Sequence, residues 1–176
     1  TWDNQKNASA WSEPAHWQMG LTTAADWQGS RWIAYEEIPA THIIVPAIDN
    51  NTHKELGPGR NILPLLRKEF RVKNAVKKAT LYISGLGHFE ASLNGKKIGD
   101  HFLDPGWTDY TDEALYVTFD VTADLKSGAN ALGVMLGNGF YHVPRERYKK
   151  LVTSFGYPKM ICRLLVEYAD GSSENI

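Results

Sequence analysis

The sequence predicts an all-β sandwich. Segments in which apolar and polar residues alternate recur along the chain, and Gly-containing turns separate them, as expected for many short strands. Apolar residues at helical spacing are scarce. The chain also holds 6 Trp and 8 Tyr among its 176 residues, and aromatic residues favour strands. A chain of this length can bury one core without disulfides, so we expect the single Cys162 to be a buried structural thiol.

The predicted strands follow one another from residue 65 onward. Alternate residues from Leu115 to Val121 are apolar, which is typical of a half-buried strand. Segment 130–136 is apolar almost throughout, which predicts a central strand. A single helical turn capped by Thr122 is predicted within 120–125. The predicted strands cover 65–72, 79–84, 89–93, 96–98, 115–121, 130–136 and 159–168.

Asn94-Gly95 separates two of these strands and predicts a type I′ hairpin. Both central residues of that turn need positive φ, and Asn and Gly accept it most readily. The strand 89–93 should therefore turn back directly into 96–98.

The chain divides into a short N-terminal piece and one main domain. Residues 1–21 carry Trp11, Trp17 and Met19 near strand spacing and are assigned to a preceding β element. The main domain is predicted to span 26–176, with 1–25 as a tail or linker. Within it, 39–64 has little periodicity and several turn-forming residues, so it is predicted to be a long exposed loop or insertion.

Charge and hydropathy argue against two classes of partner. The formal net charge is −1 and basic residues are scattered, whereas nucleic-acid binding gains affinity from a coherent basic face. No apolar run approaches the ~20 residues that span a bilayer. We therefore expect neither nucleic acid nor a membrane as a partner.

The search for catalytic motifs predicts that this chain is not itself an enzyme. No HExxH, CxxC, GxSxG or phosphate-binding glycine loop occurs in the sequence. Glu36 and Glu37 are adjacent, so in a strand they point to opposite faces and cannot flank one glycosidic bond. The six His residues show no metal-ligand spacing. No catalytic residue and no cofactor are therefore predicted.

Two stretches are richer in polar and aromatic groups than the rest. Segment 99–110 contains three Asp, Trp107 and Tyr110, and segment 136–141 contains Asn138 between two glycines, followed by Tyr141. Clustered carboxylates, amides and ring faces suit a neutral sugar, and hard oxygen ligands suit calcium. The alternative is that the glycines build tight turns and the aromatic residues pack them down.

The same stretches carry a family resemblance. Segments 79–100, 103–110, 116–122, 128–130 and 132–141 resemble the N-terminal domain of bacterial α-L-rhamnosidases, in that order. Segments 27–33 and 65–70 resemble its opening strands, so the likeness covers about residues 26–170.

The resemblance implies a jelly-roll, galactose-binding-domain-like sandwich. It implies that residues 1–25 are the tail of a fibronectin-like domain, and that inverting hydrolysis takes place in a separate helical-barrel domain. The partners it implies are other domains of the same polypeptide and rhamnose-containing polysaccharide. It also implies a secreted or periplasmic parent protein.

The resemblance further implies a candidate sugar site. In some relatives the jelly roll binds L-rhamnose through calcium, and Asn94 and Asn138 match two of the positions involved, although Gly137 or Gly139 replaces the acidic one. Two hypotheses stay open, a structural domain and a carbohydrate-binding module. If a sugar binds, Asn94, Asn138 and one aromatic residue should share a surface, with the two amides within ~12 Å. The candidate residues are Asn94, Asn138, Trp107, Tyr141 and Asp104, with Asn138 as a calcium candidate.

Overall fold

Antiparallel strands account for the regular structure of the protein. The computed structural model describes residues 1–45, 62–73, 75–143 and 153–176. The strands are β1 (Ile33–Ala34), β2 (Leu65–Val72), β3 (Val76–Leu86), β4 (His88–Leu93), β5 (Lys96–Lys97), β6 (Val117–Asp120), β7 (Gly128–Gly137), β8 (His142–Val143), β9 (Thr153–Ser154), β10 (Lys159–Tyr168) and β11 (Ser173–Asn175). Short 3-10 turns occur at Ala24–Trp27, Ala40–His42 and Thr122–Asp124.

Two sheets face each other. The first has the order β1-β10-β3-β6, with β11 also paired to β10, and the second has the order β2-β7-β4-β5. All pairings within them are antiparallel. A small third sheet joins β8 to β9. The predicted all-β jelly-roll sandwich is confirmed, and β7 is central, as its apolar sequence indicates.

The core lies between the two sheets. Leu81 and Ile83 of β3 and Leu136 of β7 are at most 1% exposed, and burying a side chain of that size stabilises the fold by roughly 1.5–3 kcal/mol. The alternation of buried and more exposed positions in β7 follows from the two-residue period of a strand. Each sheet therefore has one outer face in addition to the face that packs into the core.

The predicted hairpin is confirmed. Asn94 and Gly95 have φ of 54° and 83°, and the flanking pairs are Ser92 with Lys97 and Leu93 with Lys96. The predicted helical turn is also present, but Thr122 is its first residue and Val121 precedes it as the cap position. The Asp120 carboxylate holds this turn, because it accepts hydrogen bonds from the Thr122 amide and hydroxyl at 2.9 and 2.6 Å.

The N-terminal residues do not form the predicted strand. Within residues 1–32, all of which the structure describes, the only β pairing is an isolated bridge between Trp2 and Ala8. Trp11 and Trp17 are 99% and 88% exposed. Their spacing resembled that of a strand, but no neighbouring strand pairs with them here. Assignment of 1–25 to a fibronectin-like domain remains a prediction.

The segment 39–64 is structured at its N-terminal end. Ile44 exchanges backbone hydrogen bonds with Ser154 at 2.8 and 2.9 Å and is 9% exposed. Part of the predicted loop is therefore attached to β9, and residues 46–61 lie outside the described residues.

Candidate carbohydrate site and exposed surfaces

The Asn94 side chain stabilises the hairpin from within. Its amide nitrogen donates to the Asp124 carbonyl at 3.0 Å and to the Asn130 side-chain oxygen at 2.9 Å. Its amide oxygen accepts a hydrogen bond from the Ala131 backbone amide at 3.1 Å. These three bonds tie the hairpin to the beginning of β7, so the polar groups expected to meet a sugar are already engaged.

Asn94 and Asn138 lie at opposite ends of the same pair of strands. The β4–β7 register joins Leu93 to Leu132 and His88 to Gly137. Asn94 lies beside Ala131, and Asn138 follows seven residues further along the chain. At about 3.3 Å per residue this places them roughly 20 Å apart. The prediction that both line one monosaccharide site is wrong, because antiparallel pairing separates these two turns instead of joining them.

Close backbone packing shapes the Gly137-Asn138-Gly139 turn. Gly87 has φ of +104°, and a Cβ at that position would lie 2.2 Å from the Gly137 carbonyl oxygen. The Asn138 carbonyl accepts a hydrogen bond from the His142 amide at 3.2 Å. Asn138 lines a small depression in which Glu36 is the one carboxylate residue among the lining residues. Calcium takes six to eight oxygen ligands, and the assignment of Asn138 as a calcium ligand remains a prediction.

Tyr141 is a packing residue. It is 5% exposed, with its ring centroid 5.2 Å from that of Tyr110 and 5.8 Å from that of Phe155. Burial raises the pKa of the Tyr141 hydroxyl, which hydrogen-bonds the Phe155 carbonyl at 3.4 Å. Tyr141 therefore presents no ring face to a sugar, in agreement with the alternative left open by the sequence.

Trp107 does present a ring to the surface. It is 70% exposed and lies beside Phe140, which is 54% exposed, with centroids 5.2 Å apart and ring planes inclined by 31°. Phe140 directly follows the Gly-Asn-Gly turn and was not among the residues predicted for the site. Of the candidate residues, Trp107 retains the geometry needed for stacking.

Asp104 belongs to the edge of the second sheet. Its carbonyl accepts a hydrogen bond from the Phe89 amide at 2.8 Å, and its carboxylate lies 3.0 Å from Nδ1 of His101. Among the described residues no group of three or more His, Cys, Asp or Glu side chains is arranged to hold a metal ion. The Asp104 carboxylate thus has a partner within its own loop.

The N-terminal segment covers the outer face of the first sheet, a contact that the sequence did not predict. The Tyr116 hydroxyl accepts from the Leu21 amide at 2.7 Å and donates to the Leu21 carbonyl at 3.1 Å. Trp27 packs edge-on against Tyr116, with ring centroids 5.7 Å apart, and Arg163 donates to the Asp26 carbonyl at 2.6 Å. The one available signal was a large aromatic residue on the polar face of the predicted strand 115–121.

In the part of the chain that is described, no helix is long and apolar enough to cross a membrane.

Comparison with known proteins identifies the family. Residues 74–176 match the family described as the α-L-rhamnosidase N-terminal domain. An α-L-rhamnosidase of Formosa agariphila is 34% identical over 97% of this chain and 19% of its own length. One from Alteromonas sp. is 32% identical over 98% of this chain and 17% of its own length. The chain thus spans less than a fifth of the length of these curated relatives.

Solved structures agree with this result. The α-L-rhamnosidase of Dictyoglomus thermophilum superposes with a TM-score of 0.71 at 33% identity, covering 99% of this chain and 18% of that one. The Aspergillus terreus enzyme gives a TM-score of 0.68 at 31% identity, covering 89% and 16%. From the family match, the sequence relatives and the shared sandwich, we conclude that this chain belongs to the α-L-rhamnosidase N-terminal domain family.

Proposed function

We propose that this chain is a non-catalytic accessory domain of an inverting α-L-rhamnosidase that releases terminal rhamnose from plant glycans. Its main role is to pack against other domains of the same polypeptide. The observation that carries this proposal is the extent of the match, since the chain aligns over 97% of its length with only 19% of an α-L-rhamnosidase. Most of such a polypeptide lies outside the matched region, which gives this domain neighbouring domains to pack against.

Two of the described carboxylates hold local turns and do not fit the role of a general acid. Hydrogen bonds from Thr111 lower the pKa of Asp109, and hydrogen bonds from Thr122 lower the pKa of Asp120. A glycosidase general acid needs a raised pKa so that it stays protonated. These two acids instead stay ionised and hold local turns.

Activity measurements test this proposal. The purified 176-residue chain should hydrolyse no aryl α-L-rhamnoside, whereas the longer polypeptide that contains it should do so with inversion. Turnover by the purified chain would show that it is an enzyme. An inactive longer polypeptide would argue against the assignment to a rhamnosidase.

A carbohydrate-binding role is the second candidate, and the exposed ring pair of Trp107 and Phe140 favours it. Stacking on a sugar ring needs an accessible aromatic face, which this pair offers. Calorimetric titration with L-rhamnose, with and without calcium, tests this role. If the pair binds sugar, Trp107→Ala should abolish the heat of binding, while Trp11→Ala should leave it unchanged because Trp11 is 99% exposed at the chain's N-terminal end. Absence of heat with the unmodified chain would leave domain packing as the function.

A further inference from the structure

A groove lies along β4, where the loop formed by residues 99–104 runs beside this strand. Its volume is about 440 Å³. Residues of β4 and β7 form one side, and residues 101–104 of the loop form the other. The apolar side chains that line it include Phe102, Leu103, Met135 and Leu63. We call this feature the 99–104 groove.

The apolar lining of the groove is exposed to solvent. Phe102 and Leu103 are 81% and 72% exposed, and Leu63 and Met135 are 57% and 43% exposed. Large apolar side chains gathered on one concave surface usually mark an interaction site. The outer face of the first sheet differs, because residues of the same chain already cover it at Tyr116.

The loop that carries Phe102 is held in place. The Lys97 ammonium lies 3.8 Å from the centroid of the Phe102 ring and 3.0 Å from the Glu90 carboxylate. On the other side of the loop, the His101 ring lies against Phe119, with centroids 5.4 Å apart. The Phe102 side chain is therefore displayed by a positioned loop, which reduces the entropy lost when a partner binds.

Leu103 also indicates that the loop conformation is imposed by its surroundings. Its φ is +60°, in the left-handed region that a leucine rarely adopts. Backbone of this kind persists only where neighbouring contacts hold it, and it is concentrated at functional sites. Here it is held while the Leu103 side chain remains 72% exposed.

The charges around the groove are mainly acidic. Glu90 and Asp104 line it together with Lys97, and the adjacent Asp100 side chain is fully exposed. Lys97 pairs with Glu90, which leaves two carboxylates close to His101. A surface that fits this rim would carry a Lys or Arg next to an apolar side chain.

We propose that the 99–104 groove is the docking surface for another domain of the same polypeptide. That domain inserts an apolar side chain against Phe102 and Leu103 and places a Lys or Arg beside Asp100. Length and charge favour this occupant, because the matched region is 17–19% of the α-L-rhamnosidases it resembles and the rim is acidic. The inference rests on the proposed accessory role and adds where the contact is made.

The test compares Phe102→Asp in two settings, the 176-residue chain and the longer polypeptide that contains it. Because Phe102 is 81% exposed in this chain, the substitution should leave the melting temperature of the 176-residue chain unchanged. In the longer polypeptide, loss of the docked side chain should lower the melting temperature of this domain by roughly 4–8 °C in calorimetry. Asp100→Lys should also lower the melting temperature of this domain in the longer polypeptide, by a smaller amount. Trp11→Ala, which alters a side chain that is 99% exposed in this chain, should leave the melting temperature of the 176-residue chain unchanged.

Each outcome supports or overturns the proposal. Unchanged melting of the longer Phe102→Asp variant would overturn it, as would an equal loss of stability in the short chain. A dimer of the short chain that Phe102→Asp dissociates would assign the groove to a second copy. Rhamnose binding that Phe102→Asp abolishes would assign it to sugar. Rhamnosidase activity of the unmodified longer polypeptide is measured separately, so failure of the proposed function is distinguishable from failure of the docking surface.

Discussion

Replacing Asn94 by alanine decides whether this residue serves the fold or a ligand. The change removes two hydrogen bonds donated by the amide, to Asp124 and Asn130, and one accepted from Ala131. A typical net contribution is about 0.5–1.5 kcal/mol per bond. Alanine also tolerates the φ of 54° less well than asparagine does. We expect the free energy of unfolding to fall by about 2–4 kcal/mol.

The assay is urea-induced unfolding followed by tryptophan fluorescence, with stability taken from the midpoint at a common slope. Asn94→Gly separates the two contributions, because it removes the same bonds but accepts positive φ. Ser92→Ala, on the strand that leads into the hairpin, is the matched control. Its hydroxyl makes one long bond of 3.4 Å to Gly133, so its loss should cost less than about 1 kcal/mol.

A stability change for Asn94→Ala below about 0.5 kcal/mol would refute the structural assignment. Loss of rhamnose binding with unchanged stability would contradict it more directly, because it would show that the amide meets a ligand. Equal effects of Asn94→Ala and Ser92→Ala would mean that the three bonds contribute no more than one long bond does.

Three further predictions concern other parts of the molecule. In urea unfolding, Gly87→Ala should destabilise the fold by several kcal/mol more than Gly95→Ala. Both glycines have positive φ, but only a Cβ at Gly87 meets backbone, the Gly137 carbonyl oxygen at 2.2 Å. Equal losses of stability would contradict this close approach. Tyr116→Phe removes both hydrogen bonds to Leu21, so the free energy of unfolding should fall by about 1–3 kcal/mol. Proteolysis near Leu21 should also accelerate. An unchanged cleavage rate would show that the N-terminal segment is not held at Leu21. Burial lowers the pKa of His142 below its ordinary value of 6.5, so the unfolded state binds the proton more readily, and stability should fall as pH drops through 6.5 and below it. His142→Gln should flatten this slope, and an equal slope in that variant would assign it to another group.

Strand positions were predictable from the sequence because one sheet face is buried. Burial imposes a two-residue alternation on β7, and a one-residue slip would expose its apolar side chains. The hairpin was predictable for a different local reason, since Asn94 and Gly95 accept positive φ. In both cases the information lies within a few neighbouring residues.

The candidate site was not predictable in the same way, because it depends on which strand ends meet. Asn94 and Asn138 each occupy a polar turn, and composition alone allowed them to converge. The β4–β7 register places them at opposite ends. Tyr141 illustrates the same limit, because a buried packing tyrosine and a sugar-stacking one look alike in sequence until the contact with Tyr110 is known.

The two outer faces of the sandwich point to different roles. On the first sheet, Tyr82 is 3% exposed although it alternates with core residues, because Gln18 and Arg163 cover it. Other residues of this chain therefore already cover that aromatic face, which leaves little of it accessible to a partner. Beside the second sheet, Phe102 of the 99–104 loop is 81% exposed, and the Lys97 ammonium lies over its ring. The N-terminal segment covers the aromatic surface of the first sheet, whereas Phe102 stays exposed on a loop that its neighbours hold in place. We therefore expect a partner to bind at Phe102.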